Sequence, residues 1–152
     1  MKQFAKILII AVFSLVLFAS SAAADVSAVL TKTQGGVSPL VGTWENELGS
    51  TMTINSVTDG EVRGNYTTAV SSSGCAQGEF PLVGRASTPS LGFVVSWKND
   101  KADCQSVTAW SGKLQGFGDK AKIVTTWLLT VQTSPSNNWQ STWVNKDIFH
   151  KK

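Results

Sequence analysis

SWKNDKADCQSVTAWSG, residues Ser96–Gly112, packs two tryptophans, a cysteine and a run of hydroxyl side chains into the span of one hairpin. Its second half has the alternation of a strand, so Ser106, Thr108 and Trp110 share one face while Val107, Ala109 and Ser111 share the other. The preceding LGFVVSWK groups Phe93, Val95 and Trp97 by the same rule. A face that mixes tryptophans with hydroxyls differs from an ordinary core face, because buried hydroxyls need partners. Inside a closed sheet such a face lines a pocket, and a ligand supplies the missing partners.

The chain on either side has the same character. Short stretches rich in Val, Ile, Thr and Trp alternate with turn signals, and no segment carries a helical period. Eight strands are expected: Gly42–Asn46, Thr51–Val57, Glu61–Val70 after an Asp59-Gly60 turn, Phe80–Ala86, Leu91–Lys98, Ser106–Gln115, Ala121–Val131 and Gln140–Phe149. The fold class is therefore all-β. Eight consecutive antiparallel strands without a long crossover form an eight-stranded up-and-down β-barrel, which abolishes sheet edges and leaves room for one small ligand. A two-sheet sandwich of seven to nine strands is the alternative. In a barrel the connections after strands one, three, five and seven emerge at one rim. Those connections are Leu48–Ser50, Ser71–Gly78 with Cys75, Asn99–Gln105 with Cys104, and Gln132–Trp139.

The hairpin resembles the avidin and streptavidin family, whose members carry a WKN tripeptide, a loop and then an S-x-T-x-W-S-G strand. The likeness extends to GTWENELGST at Gly42–Thr51, GNYTTAV at Gly64–Val70, TTWLLT at Thr125–Thr130, NWQST at Asn138–Thr142 and Asp147 in NKDIF. It covers nearly the whole chain from Val41 to Phe149. The resemblance implies a high-affinity, non-catalytic biotin-binding protein in which biotin is a bound ligand and no cofactor is needed. It implies that Asn46, Ser50 and Tyr66 donate to the ureido oxygen, and that Thr68 and Asp147 accept from the ureido N–H groups. Thr108 would meet the thioether sulfur, and Ser106 with Ser72 in the Ser71–Ser73 segment would hold the valerate carboxylate. Leu48, Val70, Trp97, Trp110, Trp127 and Leu129 would wall the ring system. Two positions depart from familiar members: Thr68 stands where streptavidin has serine, and Trp143 replaces a smaller apolar residue. Trp139 matches the tryptophan that caps a neighbour's pocket in tetrameric avidins. A Cys75–Cys104 bridge resembles that of short dimeric bacterial members, which generally lack this tryptophan. A homo-oligomer is expected, tetramer favoured over dimer.

Residues 1–24 have Lys2 and Lys6 ahead of an apolar run, Ile7–Phe18, and small residues up to Ala24. That run is shorter than the ~20 residues a membrane span needs, so a secretory signal peptide is expected, with no membrane anchor and cleavage near Ala24. Residues 25–39 read as a flexible leader and 40–152 as the barrel domain. Secretion to an oxidising compartment makes pairing of Cys75 with Cys104 the default. With the chain's 1 histidine, His150, distant from both cysteines, no metal site can be assembled.

The formal charge of +3 includes the two signal lysines, so the exported chain is nearly neutral and offers no basic stripe to nucleic acid. No G-x-S-x-G, H-E-x-x-H or phosphate loop is present, and no residue is a candidate for catalysis. Glu45 and Glu47 flank Asn46 as solvated charges. A lipocalin-like carrier of another small ligand is the rival function, but it calls for a mainly apolar interior, against Asn46, Ser50, Tyr66 and Asp147.

Overall fold

The computed structural model describes residues 38–152. The expected signal peptide, 1–24, and nearly all of the expected leader, 25–39, lie outside the described residues. Period-2 alternation drives every element. In β5 (Ser90–Lys98) the residues Leu91, Phe93, Val95 and Trp97 are buried between exposed neighbours, and β3 (Glu61–Thr67) buries Val62, Gly64 and Tyr66 in the same way. One face of each strand must leave water, and closing the sheet achieves this without edges.

With β1 (Gly42–Glu45), β2 (Thr51–Thr58), β4 (Phe80–Ser87), β6 (Asp103–Gln115), β7 (Lys122–Val131) and β8 (Thr142–Lys151), these strands form a closed antiparallel barrel in sequence order. The expected eight-stranded up-and-down barrel is thus the observed fold, and the sandwich is excluded. Helical structure among the described residues is limited to 3-10 turns at Gly118–Lys120 and Pro135–Gln140, and no helix there is long and apolar enough to cross a membrane.

The β2–β3 hairpin turns through Asp59 and Gly60 with φ of 49° and 76°, and Thr58 pairs with Glu61 across it. Both left-handed residues belong to a two-residue turn whose twist matches the strands, which is why Gly follows Asp there. The lower half of the interior is apolar. Leu40, Trp44, Ile54, Val62, Leu82, Phe93, Ile123 and Phe149 are essentially inaccessible, and the Trp44 indole N–H donates to the Leu40 carbonyl at 2.9 Å.

Three strands differ from the sequence reading by more than one residue, each for a local reason. β3 stops at Thr67 instead of Val70, because the Thr68 hydroxyl donates to the Val70 carbonyl at 2.7 Å and accepts from the Val70 N–H at 3.2 Å. A side chain that satisfies the backbone two residues on turns the chain out of the ladder. β6 starts at Asp103, three residues before Ser106. Asn99 closes a tight turn by accepting from the Lys101 and Ala102 N–H groups, and Lys98 then pairs with Asp103 through a 2.7 Å ion pair. Gln105, at φ 49°, absorbs the resulting register shift. Cys104 therefore sits in a strand and not in a loop. β8 runs from Thr142 to Lys151, two residues later than expected, because the Pro135–Gln140 turn occupies its start and β1 recruits its end through Trp44 and Lys151.

Candidate ligand site

At the rim that carries the β1–β2, β3–β4, β5–β6 and β7–β8 connections, the interior changes from apolar to polar. Asn46, Ser50, Tyr66, Thr108 and Asp147 are all buried, with exposures of 7% or less. Buried polar groups at this density must be hydrogen-bonded, and their internal bonds fix which atoms face a ligand. The Asn46 side-chain oxygen accepts from the backbone N–H of Leu48 at 3.1 Å and of Ser50 at 2.8 Å. Its amide N–H₂ is thereby left pointing inward as a donor. The Ser50 hydroxyl oxygen accepts from the Ala69 N–H at 3.0 Å, and its proton has only the long 3.5 Å contact to the Thr68 hydroxyl to leave for a better acceptor. Tyr66 is a neutral phenol, since burial foremost, and then the negative Asp147, push its ionisation far above the usual range. Three donors thus share one wall.

Acceptors stand beside them. The Thr68 proton is committed to the Val70 carbonyl, so toward the interior this hydroxyl accepts. Asp147 accepts from the Trp110 indole N–H at 2.8 Å, and the Thr125 hydroxyl donates to its backbone carbonyl at 3.2 Å. Burial raises the Asp147 carboxyl above its usual range. Hydrogen bonds from Trp110, Trp127 and Asn46 work against that rise, while the negative Glu47 adds to it. The Trp97 indole N–H donates to the Thr108 hydroxyl at 2.8 Å, freeing the Thr108 proton.

Aromatic rings frame these groups. Phe93 stacks on Trp110 with centroids 4.9 Å apart and planes 11° from parallel, and Tyr66 lies 5.0 Å from Trp110 on another side. Trp97 meets Tyr66 edge-on at 5.8 Å. The buried donors and acceptors are therefore set among packed aromatic rings.

Of the residues singled out from sequence, the strands and the β1–β2 turn bring together Asn46, Ser50, Tyr66, Trp97, Thr108, Trp110 and Asp147 as buried groups, with Thr68, Ser106, Trp127 and Leu129 half-buried. Leu48, Val70, Ser72 and Trp139 are exposed on rim connections instead. Val70, expected as the last residue of the third strand, lies beyond the end of β3. Cys75 and Cys104 are bonded, with Cα atoms 5.8 Å apart, and tie the β3–β4 connection to β6 at this rim. Glu47 was read as a solvated charge, yet its carboxylate accepts from the Ile148 N–H at 3.0 Å, next to Asp147. Only the strand register, and no motif, could have revealed that contact.

An open groove of about 810 Å³, lined by Arg85, Lys113 and Lys146 among others, contains none of the residues singled out from sequence and meets the site only at Thr125. Among the described residues no group of His, Cys, Asp and Glu is placed to hold a metal ion.

The sequence profile described as the Avidin family matches residues 36–152. Afifavidin of Afifella pfennigii is 38% identical over 105 residues, covering 69% of this chain and 66% of that protein, just under two thirds of its length. Avidin of Gallus gallus is 37% identical over 121 residues, covering 72% and 76% respectively. Among solved structures, apo shwanavidin superposes with a TM-score of 0.64 at 31% identity, covering 74% of this chain and 100% of that one. A point variant of shwanavidin solved as a biotin complex gives 0.63 at 30% identity, covering 74% and 97%.

Proposed function

The chain belongs to the avidin family, and on that premise we propose that it binds biotin, tightly and without catalysis, in the mouth of its barrel. The observation that carries this is the polarity of the buried groups: internal hydrogen bonds leave Asn46 and Ser50 as donors, burial keeps Tyr66 a neutral phenol with a proton to give, and Thr68 and Asp147 are left as acceptors beside them. A cyclic urea has the complementary pattern of one strong acceptor oxygen and two N–H donors. Asn46, Ser50 and Tyr66 bind the ureido oxygen, and fixed dipoles that need no reorganisation lower the cost of binding. Thr68 and Asp147 take the two N–H groups, Thr108 meets the sulfur, and Trp97, Trp110, Trp127 and Leu129 wall the rings. Leu48, Val70 and the Ser72 segment close over the ligand from the rim, with Ser106 near the carboxylate. No cofactor or metal takes part. Retention of the folded protein on biotin-coupled resin, but not on resin bearing a fatty-acyl ligand, supports this reading. The opposite preference favours the lipocalin-like carrier.

The disulfide at the rim fixes two segments that border the ligand. Reduction is expected to speed biotin dissociation and to cost roughly 2–4 kcal/mol of stability. Equal dissociation rates for the oxidised and reduced protein would remove that role.

Assembly as a homo-oligomer, a tetramer ahead of a dimer, is supported by the outer wall. Val83, Val94, Ala109, Leu128 and Val144 face each other in unbroken cross-strand register, all exposed. An apolar row of this length on the outer wall marks a contact surface. Trp139, 78% exposed on its rim turn, is free to cap the pocket of a neighbouring copy. Light scattering is expected to give a multiple of the chain mass, and a monomer would exclude such capping. Secretion with cleavage near Ala24 completes the reading, with a flexible leader at 25–39 and the barrel domain at 40–152. A mature N-terminus at Asp25 supports it and one at Met1 contradicts it.

A further inference from the structure

The seam that closes the barrel is its shortest ladder. β1 pairs with β8 at Trp44–Lys151 and Glu45–His150, with the Lys152 N–H donating to the Thr43 carbonyl at 2.9 Å beyond them, whereas β7 pairs with β8 from Lys122–His150 through Thr130–Thr142. If the β1–β8 register continued, Glu47 would lie opposite Ile148. The backbone has left by then, because Asn46 opens the turn that closes with the Asn46 N–H donating to the Ser50 carbonyl at 3.0 Å. The Glu47 side chain supplies what the backbone no longer can: its carboxylate accepts from the Ile148 N–H at 3.0 Å, where a strand carbonyl would have stood. Ile148 directly follows Asp147, whose carboxylate reaches inward to the Trp110 indole N–H.

We propose that Glu47 is a positioning residue of the biotin site, its carboxylate continuing the barrel seam at Ile148 and so holding Asp147 at the reach of its ligand. A charge-assisted acceptor is suited to the task, since it makes a shorter and stronger bond than a neutral one. From the far side Thr125 pairs with Asp147 and bonds its carbonyl. With Glu47 in place the Asp147 backbone is held from both flanking strands, and without it from β7 alone. Glu47 is exposed, and its hydrogen bond goes to the residue that follows Asp147, so the bond acts on the site by way of the Asp147 backbone.

The inference depends on the proposed function for its ligand but not for its geometry, and two variants of the full chain separate the two. Glu47→Gln keeps an acceptor oxygen at the same reach, whereas Glu47→Ala removes it. Biotin dissociation is expected to be about tenfold faster in E47A, the loss of one charged hydrogen bond, and within about threefold of the parent in E47Q. In the ligand-free protein the Ile148 amide should lose hydrogen-exchange protection and the Trp110 indole N–H resonance should shift in E47A, with both restored in E47Q. The proposal is overturned if E47A matches the parent in dissociation and in Ile148 exchange, or if E47Q is as impaired as E47A. If the parent does not bind biotin, the proposed function fails. The exchange and indole measurements then decide the role of Glu47 by themselves: a changed E47A with a restored E47Q upholds the positioning, and an unchanged E47A refutes it.

Discussion

Replacing Asp147 by alanine is expected to weaken biotin binding by about a hundredfold while leaving the barrel folded. A hydrogen bond to an ionised group contributes about 1.5–3 kcal/mol, which is roughly ten- to two-hundredfold in affinity. The variant also strands the Trp110 indole N–H, whose acceptor at 2.8 Å is the removed carboxylate. Titration calorimetry on a variant with unchanged far-ultraviolet dichroism measures the effect, and a change below threefold would take Asp147 out of the site. The same variant tests the electrostatics. Burial raises the Asp147 carboxyl above its ordinary value of 3.8. For a raised acid, the stabilising contribution is fully present below that ordinary value and is lost as pH rises through the folded value. Melting of the ligand-free parent should therefore fall relative to Asp147→Ala as pH rises from just below 4. A difference that stays flat across the carboxylate range would mean that Asp147 titrates as an exposed acid.

Trp110→Ala carries the second large effect, and it should appear in stability as well as in binding. The indole is 5% exposed, stacks on Phe93 at 4.9 Å, and sits 5.0 Å from Tyr66 and 6.4 Å from Trp97. Emptying that space costs about 3–5 kcal/mol by the usual large-to-small rule. Asp147 loses one of its donors as well. Trp110→Phe separates the two contributions: it refills much of the volume but cannot donate, so the remaining loss of about 1–3 kcal/mol belongs to the hydrogen bond missing at the carboxylate. Urea unfolding of both variants reads the difference directly. Equal losses would mean that the hydrogen bond, which both variants lack, and not packing is what Trp110 contributes, and an unchanged alanine variant would contradict the stacked core itself.

Strand parity made most of this barrel legible before any coordinates. The alternation in FVVSW and in SVTAWS sorts inside from outside because each residue flips the side chain to the opposite face, and the structure buries Phe93, Val95, Trp97, Thr108 and Trp110 accordingly. Where a side chain takes over from the backbone, parity gives no warning. Thr68 ends β3 by bonding Val70, Asn99 folds the β5–β6 turn early, and Glu47 stands in for a missing strand carbonyl. Each is a side chain-to-backbone bond that alternation does not register: Thr68 and Asn99 bond backbone two and three residues on, and Glu47 bonds a residue brought near only by the strand register. Trp44 shows the converse limit. It is fully buried in the lower interior with its indole N–H on Leu40, but composition gives no means of distinguishing it from the tryptophans at the mouth. The capping role proposed for Trp139 calls for a neighbouring copy, which no single chain contains.

Titration of the oxidised protein with biotin, followed by tryptophan emission and by heat, tests the central claim most directly. The account predicts saturation near one biotin per chain with a strong emission change, because Trp97, Trp110 and Trp127 wall the proposed pocket. A folded barrel that shows neither heat nor emission change at any biotin concentration would contradict it.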